Sequence, residues 1–63
     1  MQITLKAIRV NKGLSQEDAA KAIGISEDTL SNYERGKTYP DIPVLKKIEE
    51  VYGTSYENIN FFP

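Results

Sequence analysis

The sequence predicts an all-α fold of four to five short helices with no sheet, and three observations carry that expectation. Apolar residues recur at helical spacing, as in Leu5 and Ile8, or Leu45, Ile48 and Tyr52. Residues able to cap a helix, Thr4, Ser15, Ser26, Asp41 and Ser55, stand just before such segments. Glycines at Gly13, Gly24, Gly36 and Gly53 stand where those segments stop. The 63 residues are expected to form one domain, 1–63. A chain of that size buries only about 60% of the surface it exposes when unfolded, so its stability should be modest.

Composition removes several classes of function. The chain has no Cys and no His, so disulfides are impossible and the usual zinc ligands are missing. No metal and no cofactor is expected. Its carboxylates are spread over helix surfaces and no Gly-rich phosphate loop is present, so neither nucleophilic nor metal-assisted catalysis has its parts. No residue is assigned a catalytic role, and an enzyme is not expected. The longest apolar runs are a few residues, which predicts neither a transmembrane helix nor a signal peptide and places the protein in the cytoplasm. A net charge of −1 argues against nucleic acid unless the basic side chains gather on one face. Such a face forms if Arg9, Lys12, Arg35 and Lys37 lie opposite Glu49, Glu50 and Glu57.

In chain order, residues 4–12 form a first helix behind the Thr4 cap, with Leu5 and Ile8 inward and Gly13 ending it. A second helix spans 16–23. Ser15-x-x-Asp18 has the spacing of a capping box, and Ala19, Ala20 and Ile23 face inward. Gly24 makes the sharp turn, because glycine alone reaches a positive φ at no steric cost. Ser26 caps a third helix over 27–35, flanked by a hydrophobic staple of Ile25 and Leu30, with Gly36 just beyond its end. Lys37 to Pro40 read as a loop. Asp41 caps a fourth helix that tolerates Pro43 in its first turn and stops at Gly53. Lys46 and Lys47 with Glu49 and Glu50 read as its solvated side, with a weak Lys46 to Glu50 pair. Ser55 caps a last short helix from Tyr56 to about Asn60, with Ile59 inward.

Two capped helices of about two turns, separated by three residues that include Gly, have the layout of a helix-turn-helix. The stretch from Ser15 to Gly36 resembles that of the phage repressor and Cro proteins, the XRE family. The match rests on Gln16, the small Ala20, Gly24, apolar residues at Ile23, Leu30 and Tyr33, and the closing run Glu34-Arg35-Gly36-Lys37. Ala20 suits a close helix crossing, which a larger side chain would push apart. The resemblance covers residues 1 to about 60 and implies a lambda repressor-like DNA-binding domain. Two positions depart from it: Ala19 stands where the family usually has Leu, leaving a gap for Tyr33 or Tyr52, and Glu49 stands where it prefers Ala.

The resemblance also implies roles for individual residues. Arg9 and Glu34 would form a structural ion pair. Gln16, at the start of the second helix, would donate to a DNA phosphate, with Ser26, Arg35, Lys37 and Thr38 as further phosphate contacts and Tyr39 beside them. Periodicity turns Glu27, Asp28, Ser31, Asn32 and Arg35 outward, on the surface that would enter the major groove N-terminus first. Asn32 has the groups to bond adenine through N6 and N7, and Arg35 to reach a phosphate or guanine. Glu27 and Asp28 either accept from cytosine N4 or simply complement the helix dipole.

The expected function is therefore sequence-specific binding of double-stranded DNA by a small transcriptional regulator, Cro-like or a stand-alone repressor, associated with the nucleoid when bound. Phe61 and Phe62 need burial on so small a protein. They either fold back on the core or form the interface of a homodimer, which would place two recognition helices one DNA turn apart on a palindromic operator. The alternative is an antitoxin-type module on the same fold, whose acidic surface and Phe61-Phe62 bind a protein partner.

Overall fold

The computed structural model describes residues 2–62; Met1 and Pro63, the two ends of the expected domain, lie outside the described residues. Four α-helices follow one another as α1 (Leu5–Asn11), α2 (Gln16–Ile23), α3 (Glu27–Glu34) and α4 (Ile42–Tyr52). Each begins where a short polar side chain closes the first turn. Thr4, Ser15, Ser26 and Asp41 accept from the N–H groups of Ala7, Asp18, Thr29 and Val44 respectively. These contacts satisfy donors that a bare helix start leaves open, at about 1 kcal/mol each.

The end of α3 is closed with equal definition. Arg35 keeps a right-handed backbone as the cap, so it stands one residue beyond the helix rather than inside it. Gly36 then turns to φ 72°, and the N–H groups of Gly36 and Lys37 return to the carbonyls of Tyr33 and Asn32. This double closure needs a left-handed residue at position 36, which glycine supplies. Gly24, at φ 91°, does the same for the turn between α2 and α3.

The core is one cluster of Leu5, Ile8, Ala19, Ala20, Ile23, Leu30, Tyr33, Ile48, Tyr52 and Ile59. Ala19 is fully buried, and Tyr52, in the same cluster, is the largest of the fully buried side chains. On α4 the flanks of the core are Val44 and Val51, whereas Leu45 is only half-buried and outside the cluster. The inward stripe thus runs 44, 48, 51 and 52, turned slightly from the expected 45, 48 and 52. On the outer side Lys47, and not Lys46, pairs with Glu50, at 3.6 Å across a single helix turn.

The C-terminal end corrects two expectations. The last helix is a single 3-10 turn, Tyr56–Asn58, and Ser55 makes no side-chain cap there. The N–H of Asn58 returns to the Ser55 carbonyl, and the N–H of Tyr56 donates to the Glu49 carboxylate at 2.8 Å, which gives Glu49 a role. After that turn Ile59–Asn60 (β2) pairs in parallel with Ile3–Thr4 (β1), Ile3 opposite Ile59. The pairing is too short to add a sheet layer. It ties the two ends of the chain together and seats Ile59 in the core.

Tyr52 carries the one buried side-chain oxygen without a partner among the described residues. Burial, reinforced by the charge of Glu34 and opposed by Arg9, pushes its phenol up to about 12. The folded state therefore holds this proton more tightly than the unfolded state, whose phenol titrates near 10. Stability is undiminished below pH 10 and is expected to fall by about 2–3 kcal/mol as pH rises from 10 to 12. Tyr52→Phe should flatten that alkaline slope. It should also gain about 1 kcal/mol at pH 7, because an unsatisfied buried hydroxyl is removed. Urea unfolding at pH 7 and pH 11.5 checks both; an unchanged slope would mean that Tyr52 titrates normally.

Candidate nucleic-acid interface

The outer surface of α3 and the groove beside it carry most of the residues that sequence analysis singled out. Leu30 is fully buried and Tyr33 nearly so, which fixes the rotation of the helix about its axis. Glu27, Asp28 and Arg35 are then exposed, with Ser31 and Asn32 half-exposed beside them. Glu27 and Asp28 lie in the first turn, where carboxylates complement the positive end of the helix dipole. Ser26 caps that turn, and its oxygen lies 2.8 Å from the Thr29 hydroxyl. Its proton is available to a ligand only when Thr29 is the donor of that pair.

Behind this surface four segments meet at one carboxylate. Arg9 Nε donates to Glu34 Oε2 at 2.7 Å and its Nη2 to Oε1 at 3.3 Å, while Nη1 donates to the Leu14 carbonyl at 2.9 Å. The pair is well covered, with side chains 10% and 4% exposed. Its hydrogen bonds to Glu34 raise the Arg9 pKa further above its ordinary value, so the guanidinium stays charged. Gln16 Nε2 donates to the same Glu34 Oε1 at 3.1 Å. Helix α1, the turn at Leu14, the start of α2 and the end of α3 are thereby fixed to one another. Arg9 is spent inside the structure and adds no free charge to a basic face.

The groove beside this knot has a volume of about 550 Å³ and is lined by Lys6, Arg9, Gln16, Ser31, Glu34 and Arg35. Since Arg9 and Gln16 take up Glu34, the uncompensated charges at the groove are Lys6 and Arg35. Lys6 was not among the sequence-predicted site residues; it stands three residues before Arg9 on the same side of α1, and that spacing is its signal in the sequence. One N–H of the Gln16 amide is committed to Glu34, which leaves the other for a ligand. Arg35 Nη2 donates to Asn32 Oδ1 at 3.0 Å, linking the groove to the outward side of α3.

The loop after α3 exposes Lys37, Thr38 and Tyr39. The backbone N–H of Lys37 is used in closing the helix, so that residue has only its ammonium to offer. Phe61 and Phe62 part company. Phe61 packs against the core, while Phe62 is 71% exposed with its ring centroid 5.5 Å from that of Tyr39. Among the described residues no helix is long and apolar enough to cross a membrane.

Comparison with known proteins agrees with this architecture. The helix-turn-helix family model matches residues 5–59. An uncharacterized HTH-type transcriptional regulator of Methanocaldococcus jannaschii is 37% identical over 59 residues, 94% of this chain and 89% of the relative. The cryptic phage CTXphi transcriptional repressor RstR of Vibrio cholerae is 33% identical over 49 residues, 78% of this chain and 44% of its own. The HTH-type transcriptional regulator ImmR of Bacillus subtilis is 39% identical over 51 residues, 81% of this chain and 40% of its own. No solved structure matches. With its Ser15-capped α2, the turn at Gly24 and the Ser26-capped α3 inside the matched region, this chain belongs to the XRE-type helix-turn-helix family.

Proposed function

We propose that the chain is a transcriptional regulator, Cro-like or a stand-alone repressor, that reads double-stranded DNA by laying α3 in the major groove. The observation that carries this is the outward side of α3, where Glu27, Asp28, Ser31 and Asn32 face solvent on a helix locked in place by Arg9 and Gln16. In this reading Ser31 and Asn32 contact base edges, Asn32 bonding adenine. Glu27 and Asp28 accept from cytosine N4 and repel bases without a donor there. Gln16, Ser26, Arg35, Lys37 and Thr38 contact phosphates, joined by Lys6 from α1.

The protein acts as a homodimer on a palindromic operator. One copy carries a single α3, so reading two half-sites one DNA turn of about 34 Å apart takes two copies. Phe62, exposed beside Tyr39, is the remaining candidate for that contact, Phe61 being occupied with the core.

Selection of bound DNA from a random pool, followed by affinity against salt, tests the reading. A short near-palindromic site should emerge, with log K falling linearly against log salt. Asn32→Ala is expected to relax the preference at one position at a cost of about 1–3 kcal/mol, whereas Lys37→Ala should weaken all sequences alike. If no sequence is enriched and no binding appears at low salt, the reading fails. A protein partner on the Tyr39–Phe62 surface, as in an antitoxin, then becomes the better explanation.

A further inference from the structure

We infer that Arg35 is the positioning residue for Asn32: it holds the Asn32 amide in one of its two flips, and base preference at that position depends on it. The inference rests on the reading that α3 enters the major groove. Arginine has only donors, so the atom facing Arg35 Nη2 at 3.0 Å must be the amide oxygen, Oδ1. Chemistry thus sets the flip, and Nδ2 is turned to the other side.

The support is itself fixed. Arg35 caps α3 with φ −89° and ψ −2°, and its N–H donates to the Ser31 carbonyl. Gly36 and Lys37 close the helix immediately after it, so the arginine side chain leaves from a defined point three residues beyond Asn32. Its charge is also uncommitted. Among the described residues no carboxylate pairs with it, because Glu34 is taken by Arg9 and Gln16 and the only other ion pair is Lys47 with Glu50. One N–H serves Asn32, and the guanidinium also lines the groove, where its other N–H groups can take a phosphate. A phosphate there adds to the hold on Arg35, whose bond to Asn32 is already made in the free protein.

The consequence is selectivity between purines. A pinned amide offers Nδ2 to purine N7, and the second lone pair of Oδ1 to adenine N6. Guanine places O6, an acceptor, where Oδ1 already stands. A free amide can swing Nδ2 toward O6 and escape that repulsion with a single bond to guanine, so the distinction narrows. Preorganisation here supplies specificity more than affinity.

The test compares the wild type, Arg35→Ala, Asn32→Ala and the double variant. Each is titrated with the selected operator and with one carrying guanine in place of adenine at the position that Asn32→Ala relaxes. Arg35→Ala is expected to lower the adenine-to-guanine ratio about tenfold, leaving it above the Asn32→Ala level, and to leave the ratio unchanged in the Asn32→Ala background. Equal weakening on both operators, with the ratio intact, would leave Arg35 as a phosphate contact alone and overturn the inference. A DNA-free readout separates this failure from failure of the regulator reading. In the free protein the Asn32 side-chain NH2 should show NMR order close to that of the backbone, and Arg35→Ala should release it. A wild-type amide as mobile as that of Arg35→Ala overturns the inference whatever DNA the protein binds.

Discussion

Glu34→Ala is expected to cost about 3–5 kcal/mol, most of the stability of a domain for which about 3–9 kcal/mol is typical at this length. The reason is what the substitution leaves behind. Arg9 is nine-tenths buried and keeps only the Leu14 carbonyl as a partner, and Gln16 loses its acceptor. An unpaired buried cation is far more costly than the pair is stabilising, because desolvation of both ions offsets most of their attraction. Two variants separate these effects. Glu34→Ala should unfold at much lower urea than wild type, whereas Arg9→Met with Glu34→Leu together should recover most of the loss by filling the space with apolar atoms. The recovered protein would hold α3 by packing alone, so its DNA affinity should fall more than its stability. Urea unfolding followed by circular dichroism measures the first effect and DNA titration the second. A loss below about 1 kcal/mol for Glu34→Ala would place the pair with ordinary surface ion pairs.

How far such features could be read from the sequence depended on how local their causes are. The caps at Thr4, Ser15, Ser26 and Asp41 are made by a side chain and an N–H three residues apart, and each was legible. Ser55 looked the same in sequence. Its helix does not form an α-turn: the N–H of Asn58, which a Ser55 side-chain cap would have served, goes to the Ser55 carbonyl, and the N–H of Tyr56 goes to Glu49, seven residues back on α4. The parallel pairing of Ile3 with Ile59 left no trace because two residues cannot display an alternation. The ion pair of Arg9 and Glu34 spans 25 positions, and only the family resemblance brought the two together. For α3, periodicity gave the outward residues from Leu30 and Tyr33 alone. Periodicity cannot say what those residues hold, so the bonds from Gln16 to Glu34 and from Arg35 to Asn32 emerged only with the side chains placed.

Leu30→Ala is the second substitution with a large expected effect, about 2–5 kcal/mol. Leu30 is fully buried, it is the α3 residue just behind the Ser26 cap, and α3 packs most extensively against α2. Removing three carbons there leaves a cavity at the joint that sets the angle of the helix-turn-helix. In a domain this small each kcal/mol lowers the melting temperature by roughly 4–8 °C, so the variant should melt at least about 8 °C below wild type. Leu30→Met, which keeps the volume, should cost less than about 1.5 kcal/mol. Binding links back to folding: DNA at a hundredfold excess over Kd restores about 2.7 kcal/mol, so Leu30→Ala should regain much of its lost stability when bound. The outward residues of α3 are untouched by this change. Its apparent affinity should therefore fall with the fraction folded while its base preferences stay those of the wild type. A variant that kept its melting temperature yet changed its preferences would mean that Leu30 positions the outward side of α3 without holding the core, contrary to its complete burial.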